Sequence, residues 1–144
     1  LFIRGNNFSG ILPGSLSKLS NLIMLDISSN GFSGELPYLP RISGLVGFLA
    51  DNNDLSGRIP EFNYLNLRAF NVSYNNFSGP IPDVHGHFNA SSFSGNPGLC
   101  GKPLQTPCPS PPPSWWGTPD LKSLPCIFGE LASSWRKLLT FLLD

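Results

Sequence analysis

Along residues 1 to 82 the apolar side chains recur in one fixed figure: apolar-x-apolar-x-x-Asn-x-apolar-Ser-Gly-x-apolar-Pro. It is read at Leu1 to Pro13 (LFIRGNNFSGILP), Leu25 to Pro37 (LDISSNGFSGELP), Phe48 to Pro60 (FLADNNDLSGRIP) and Phe70 to Pro82 (FNVSYNNFSGPIP). The opening pair, Leu25 and Ile27 in the second figure, alternates with period two. This predicts a short strand with both apolar side chains inward and the residue between them outward. Between the first two figures Leu16, Leu19, Leu22 and Leu25 stand three apart, a spacing that suits 3₁₀ or irregular turns more than an α-helix, so these leucines are expected in the core. The next arcs are shorter by one and then two residues and run through Leu39, Ile42 and Leu45, then through Phe62, Leu65 and Leu67.

The Asn of the figure falls at Asn6, Asn30, Asn53 and Asn75, with spacings of 24, 23 and 22 residues. That period is the one expected of leucine-rich repeats. The fold class is therefore a leucine-rich repeat solenoid of the α/β repeat type, with short parallel strands stacked into one sheet and 3₁₀ or irregular arcs on the convex side. Turning after each strand strands backbone groups without ladder partners, and an inward Asn amide can bond them, so the four Asn are expected to stack as a ladder. Gly10, Gly34, Gly57 and Gly79 follow four residues later, where a tight path or positive φ favours glycine. One repeat cannot bury its own apolar face, so each depends on its neighbours and an open end needs a cap.

Composition narrows the function classes. The chain has 144 residues, 40% of them hydrophobic, enough for one structured unit. Only 12% are charged, the formal net charge is zero, and no basic stripe is present to neutralise phosphates, which argues against a nucleic-acid partner. Three Cys and several Asn-x-Ser sequons fit an oxidising secretory route. Leu1 opens inside a repeat with no leader-like segment before it, so the chain reads as a fragment.

The stretch FNVSYNNFSGPIPDVHGHFNASSFSGNPGLCGKPLQTPC, Phe70 to Cys108, closely resembles the last repeat and cap of plant leucine-rich repeat receptor-like kinases. The resemblance is strongest to the short-ectodomain group of pollen receptor-like and probable inactive receptor kinases. The Ser-Gly-x-Ile/Leu-Pro segments and Gly95-Asn96-Pro97-Gly98-Leu99-Cys100-Gly101 followed by Cys108 carry it. It implies an ectodomain that leads through a linker to a transmembrane helix and a kinase-like domain. No Gly-rich phosphate loop, Val-Ala-x-Lys strand, His-Arg-Asp loop or Asp-Phe-Gly motif occurs in the chain, so it is not read as an enzyme and no cofactor is expected.

The domain reading is four repeats over 1–84, a cap with a Cys pair over 85–108, a Pro-rich linker over 109–126 and an amphipathic helix of doubtful origin over 127–144. In the last segment Leu131, Trp135, Leu138 and Leu142 recur at helical spacing. Glu130, Arg136 and Lys137 would each cost ~2.5–3.5 kcal/mol near a bilayer centre, so no transmembrane span is assigned. Unrelated sequence from a misassembled gene is the plainer reading of that tail.

Recognition is placed on the outward strand positions Phe2, Arg4, Asp26, Ser28, Leu49, Asp51, Asn71 and Ser73, which share the concave face of a solenoid. Against this stands the reading that they are merely solvated strand residues. Phe2 and Leu49 are the better candidates, as apolar groups beside charges. Cys100 and Cys108 can close a small disulfide loop, whereas metal binding lacks a second pair, and Cys126 is left over. Sequons mark Asn7, Asn71, Asn76 and Asn89 for glycans, with Asn71 on the concave face and the others on turns or the cap edge. Asp83, His85 and His87 form a weak metal signal better read as a surface loop, and with no nucleophile motif beside them hydrolase chemistry is improbable. The functional expectation is an extracellular module that binds a peptide or another receptor ectodomain, held outside the plasma membrane by a longer parent. The rivals are a secreted inhibitor of a cell-wall-degrading polygalacturonase and a truncated product without a role of its own.

Overall fold

A computed structural model of the chain describes residues 1–110. Every element described here lies in the unit Leu1–Cys108. The expectations for the linker, the amphipathic helix and Cys126 fall outside the described residues, apart from Pro109 and Ser110 at the start of the linker.

The described elements are strands β1 (Ser9–Ile11), β2 (Met24–Asp26), β3 (Gly31–Glu35), β4 (Gly47–Leu49), β5 (Asp54–Gly57), β6 (Ala69–Asn71), β7 (Asn76–Pro80) and β8 (Gly98–Cys100), with 3₁₀ turns at Gly14–Lys18, Leu39–Arg41 and Ala90–Ser92. Strands β2, β4 and β6 pair in parallel and in register, Leu25 beside Phe48 beside Phe70. The first repeat joins them through a parallel bridge from Phe2 to Asp26. This is the sheet expected from the apolar-x-apolar pairs, and Leu25, Ile27, Phe48 and Val72 are fully buried beneath it.

A second sheet was not foreseen. Strands β1, β3, β5 and β7 from the apolar-Ser-Gly segments, with β8 from the cap, form a five-stranded parallel sheet. Each glycine of those segments stands beside the buried apolar residue of the next coil, Gly10 by Phe32, Gly34 by Leu55, Gly57 by Phe77 and Gly79 by Leu99. At Gly34 φ is +75°, and a Cβ would come within 2.8 Å of Ile11 Cγ2. Both the left-handed backbone and the close approach of the preceding coil exclude a side chain there.

The Asn ladder has five rungs. Asn75 Nδ2 donates to the carbonyls of Ala50, Val72 and Ser73, while its Oδ1 accepts the N–H of Leu55. Asn96 repeats the pattern, donating to Val72, Phe93 and Ser94 and accepting from the N–H of Phe77. The segment 85–108 therefore continues the coil for one more turn before Cys100 and Cys108 join at an S–S distance of 2.00 Å.

The arcs depart from expectation at two leucines. Leu39, Ile42 and Leu45 are buried as foreseen, but Leu19 is 47% exposed and Leu65 is 63% exposed. Tyr64 takes the interior place beside Leu65, its ring edge-on to Phe70 at 5.4 Å. Phe62 stacks on Phe48 at 5.3 Å and Phe93 lies 5.6 Å from Phe70. As the arcs shorten they supply fewer inward side chains, and these bulkier rings fill the interior instead. Full burial of each contributes about 1.5–3 kcal/mol.

Candidate partner-binding face

The register places the candidate residues in two rows. Phe2, Asp26, Leu49 and Asn71 stand side by side across the three-stranded sheet and its bridge. Arg4, Ser28, Asp51 and Ser73 form the second row two residues on. There the backbone ladder continues from Gly5 N–H to the Ser28 carbonyl, from Ser29 to Asp51 and from Asn52 to Ser73.

Only part of this set reaches solvent. Phe2 is 71% exposed and Arg4 is exposed, and Leu49, Asp51 and Asn71 are half-buried. Asp26, Ser28 and Ser73 are buried, at 7%, 0% and 5%, which corrects their assignment as contact residues. The cause is local bonding. Asp26 Oδ1 accepts the N–H of Ser28 at 3.1 Å and its hydroxyl at 2.5 Å. Asn71 Oδ1 likewise accepts the N–H of Ser73 at 3.1 Å. A short Asx or Ser side chain bonded to its own backbone two residues on stays flush with the sheet. These residues make the floor of the face, and Phe2, Arg4, Leu49 and Asp51 rise from it. Asp51 is itself oriented by the Asn52 amide, which donates to Oδ2 at 2.8 Å.

Sequence reasoning missed Tyr74. It is 61% exposed with φ of 54°, at the place in the coil where Gly5, Ser29, Asn52 and Gly95 also have positive φ. A bulky residue in the left-handed region is strained by about 1–2 kcal/mol. Its ring passes over Gly95, where a Cβ would lie 2.6 Å from Tyr74 Cδ1. The available signal was the residue before each ladder Asn, which is small or amide-bearing in every coil but this one.

The remaining candidates resolve individually. Asp83 Oδ1 accepts the His85 N–H at 2.8 Å, and its Oδ2 lies 3.5 Å from His85 Nδ1 on an exposed loop. Asn7 is an exposed loop residue, whereas Asn76 begins β7 and does not lie on a turn. Asn89 caps the 3₁₀ turn Ala90–Ser92, accepting from the Ser91 N–H. Burial beside Glu61 pushes the Tyr64 phenol well above its ordinary value, desolvation being the larger cause.

A coil with an amide ladder, apolar rungs and paired parallel sheets defines a leucine-rich repeat protein. The Leucine Rich Repeat family pattern matches residues 1–19, 21–41 and 66–88. The third repeat falls outside those matches but carries the same Asn53 rung. Within that family the chain matches the plant receptor-like kinases. It is 35% identical over 113 residues to pollen receptor-like kinase 2 of Arabidopsis thaliana, covering 77% of this chain and 17% of that relative's length. Its fold matches the BIR2 ectodomain of Arabidopsis thaliana at a TM-score of 0.69 and 36% identity, covering 74% of this chain and 59% of the other. A chain of the BIR3–SERK2 complex from the same plant matches at 0.68 and 35%, covering 76% and 60%.

Proposed function

We propose that the chain is an extracellular recognition module of a plant receptor-like kinase, and that it binds a second receptor ectodomain or a peptide through Phe2, Arg4, Leu49 and Asp51. The observation that carries this is a 71% exposed Phe2 in one row with half-buried Leu49, flanked by Arg4 and Asp51 in the next. Two apolar anchors with opposite charges beside them make the centre and rim of a small interface. Support comes from the fold match to a chain of the BIR3–SERK2 complex. The kinase-like domain and the membrane anchor belong to the parent in this reading, and the chain itself does no chemistry.

The test uses the SERK2 ectodomain as probe against the full 144-residue chain in a surface-binding assay. Phe2→Ala and Leu49→Ala are each expected to weaken binding about tenfold or more, about 1.4 kcal/mol. Arg4→Glu should slow association and steepen the dependence on salt. Unchanged affinity in both alanine variants would place recognition elsewhere, and no binding by the parent chain would remove the ectodomain reading.

A further inference from the structure

We infer that Asn71 carries an N-linked glycan that screens the β6 side of the three-stranded sheet, so that a partner reaches Leu49 from the β2 side. The inference rests on the secretory location proposed above and deepens the partner reading by saying which part of the face stays free.

The asparagines of this chain fall into two kinds by what their amide nitrogen does. In the ladder Nδ2 is fully used, as at Asn53, where it donates to the carbonyls of Ile27, Ala50 and Asp51. At Asn71 the Ser73 backbone N–H can only donate, so the side-chain oxygen must face it, as the 3.1 Å contact shows. The planar amide then turns Nδ2 away from the strand, and it donates to no acceptor among the described residues. Asn71-Val72-Ser73 is a sequon whose nitrogen is free while its oxygen is anchored. Substituting Nδ2 costs the folded protein no hydrogen bond. Substituting the same atom in a ladder Asn would break three.

Glycosyl transfer to this nitrogen balances simply. A bond forms between Nδ2 and the anomeric carbon of a lipid-linked oligosaccharide pyrophosphate. The bond from that carbon to the pyrophosphate oxygen breaks, the oxygen keeps the electron pair, and the nitrogen gives up one proton. Of the four sequons, Asn71 alone lies in the three-stranded sheet. Leu49 is its register partner on β4. A glycan on Asn71 therefore rises directly beside Leu49, while Phe2, at the other end of that row, is separated from Asn71 by Asp26 and Leu49.

The test expresses the full 144-residue chain behind a secretory leader in plant cells, together with Ser73→Ala, which removes the sequon but keeps the Asn71 oxygen on a backbone N–H. Glycopeptide mass spectrometry should find a hexosamine-linked glycan on Asn71, converted to Asp on enzymatic release. Secreted protein with bare Asn71 overturns the inference. Hydroxyl-radical footprinting then compares the two chains. Leu49 is expected to oxidise at least twofold more slowly when the glycan is present, with Phe2 unchanged. Equal rates at Leu49 would overturn the screening role. Because secretion is imposed and no partner is used, these outcomes stand apart from success or failure in binding SERK2.

Discussion

Replacing Asn75 by Ala tests the ladder at its most enclosed rung. Its Nδ2 donates at 2.9 Å to Ala50, 3.1 Å to Val72 and 3.2 Å to Ser73, and its Oδ1 accepts from Leu55 at 3.0 Å. The three carbonyls are not left bare by the loss. Ala50 still accepts from Asn53, Val72 from Asn96 and Ser73 from the N–H of Asn52. The Leu55 N–H alone loses its acceptor in a buried place, at about 1–3 kcal/mol, and the weakened carbonyl bonds add about 1 kcal/mol more. Asn75→Ala should therefore cost about 2–4 kcal/mol, a large share of a typical 5–15 kcal/mol stability.

Asn6 supplies the control. It is exposed, donates only to Ile3 and Arg4, and the Ile3 carbonyl also accepts from Asn30, so Asn6→Ala should cost no more than about 1 kcal/mol. Asn75→Asp separates geometry from polarity. It keeps an oxygen for Leu55 but turns a second, charged oxygen toward three carbonyls, and should destabilise more than Ala does. Urea titration of the disulfide-intact chain, followed by far-ultraviolet circular dichroism, measures all three. Equal losses at Asn6 and Asn75, or an Asp variant milder than Ala, would refute the shared-carbonyl account.

Gly34→Ala should lose clearly more stability than Gly10→Ala, because both have positive φ but only Gly34 meets a neighbour, Ile11 Cγ2 at 2.8 Å; thermal melts of the two variants check it. Reducing Cys100–Cys108, which are 8 residues apart in sequence, should cost about 2–3 kcal/mol and lower the melting temperature, read by melts with and without a thiol reductant. The Tyr64 phenol has a folded pKa raised above its unfolded value of 10.0, so its contribution to stability is complete below that pH and lost as pH rises beyond it. Urea midpoints measured from neutral pH upward should fall above pH 10.0, and Tyr64→Phe should flatten that fall.

Four rungs of the ladder were legible because the Asn and its flanking apolar residues recur at nearly constant spacing. The fifth, Asn96, was hidden by one extra residue, since Pro97 and Gly98 delay the next buried side chain to Leu99. The second sheet escaped notice because apolar-Ser-Gly reads as a turn, and its strands of three to five residues are too short to show period two. On the binding face alternation gave the correct side of the strand, but side does not set depth. Asp26-x-Ser28 and Asn71-x-Ser73 carried the missing signal, an acceptor placed two residues before a backbone N–H that needs one.

That distinction bears on how such a coil can change its partner without losing its fold. Stability resides in columns that run along the solenoid: the amides, the glycines of the second sheet and the inward Leu, Ile and Phe side chains. A substitution in any of them is felt by two coils at once, because Asn30, Asn53, Asn75 and Asn96 each bond carbonyls of their own coil and of the one before. Phe2, Arg4 and Leu49 donate or accept no side-chain hydrogen bond among the described residues, so their side chains are free to vary at little cost to the coil. Asp26 and Asn71 occupy the same column as Phe2 and Leu49 yet close a turn with their side-chain oxygen. Asp26→Ala should consequently behave as a stability variant, losing about 2–4 kcal/mol because two donors of the buried Ser28 lose their acceptor, and should alter binding only as far as it unfolds the sheet. If Asp26→Ala instead melted like the parent but abolished binding to the SERK2 ectodomain, the floor of the face would be part of the contact and the division between the two rows would be wrong.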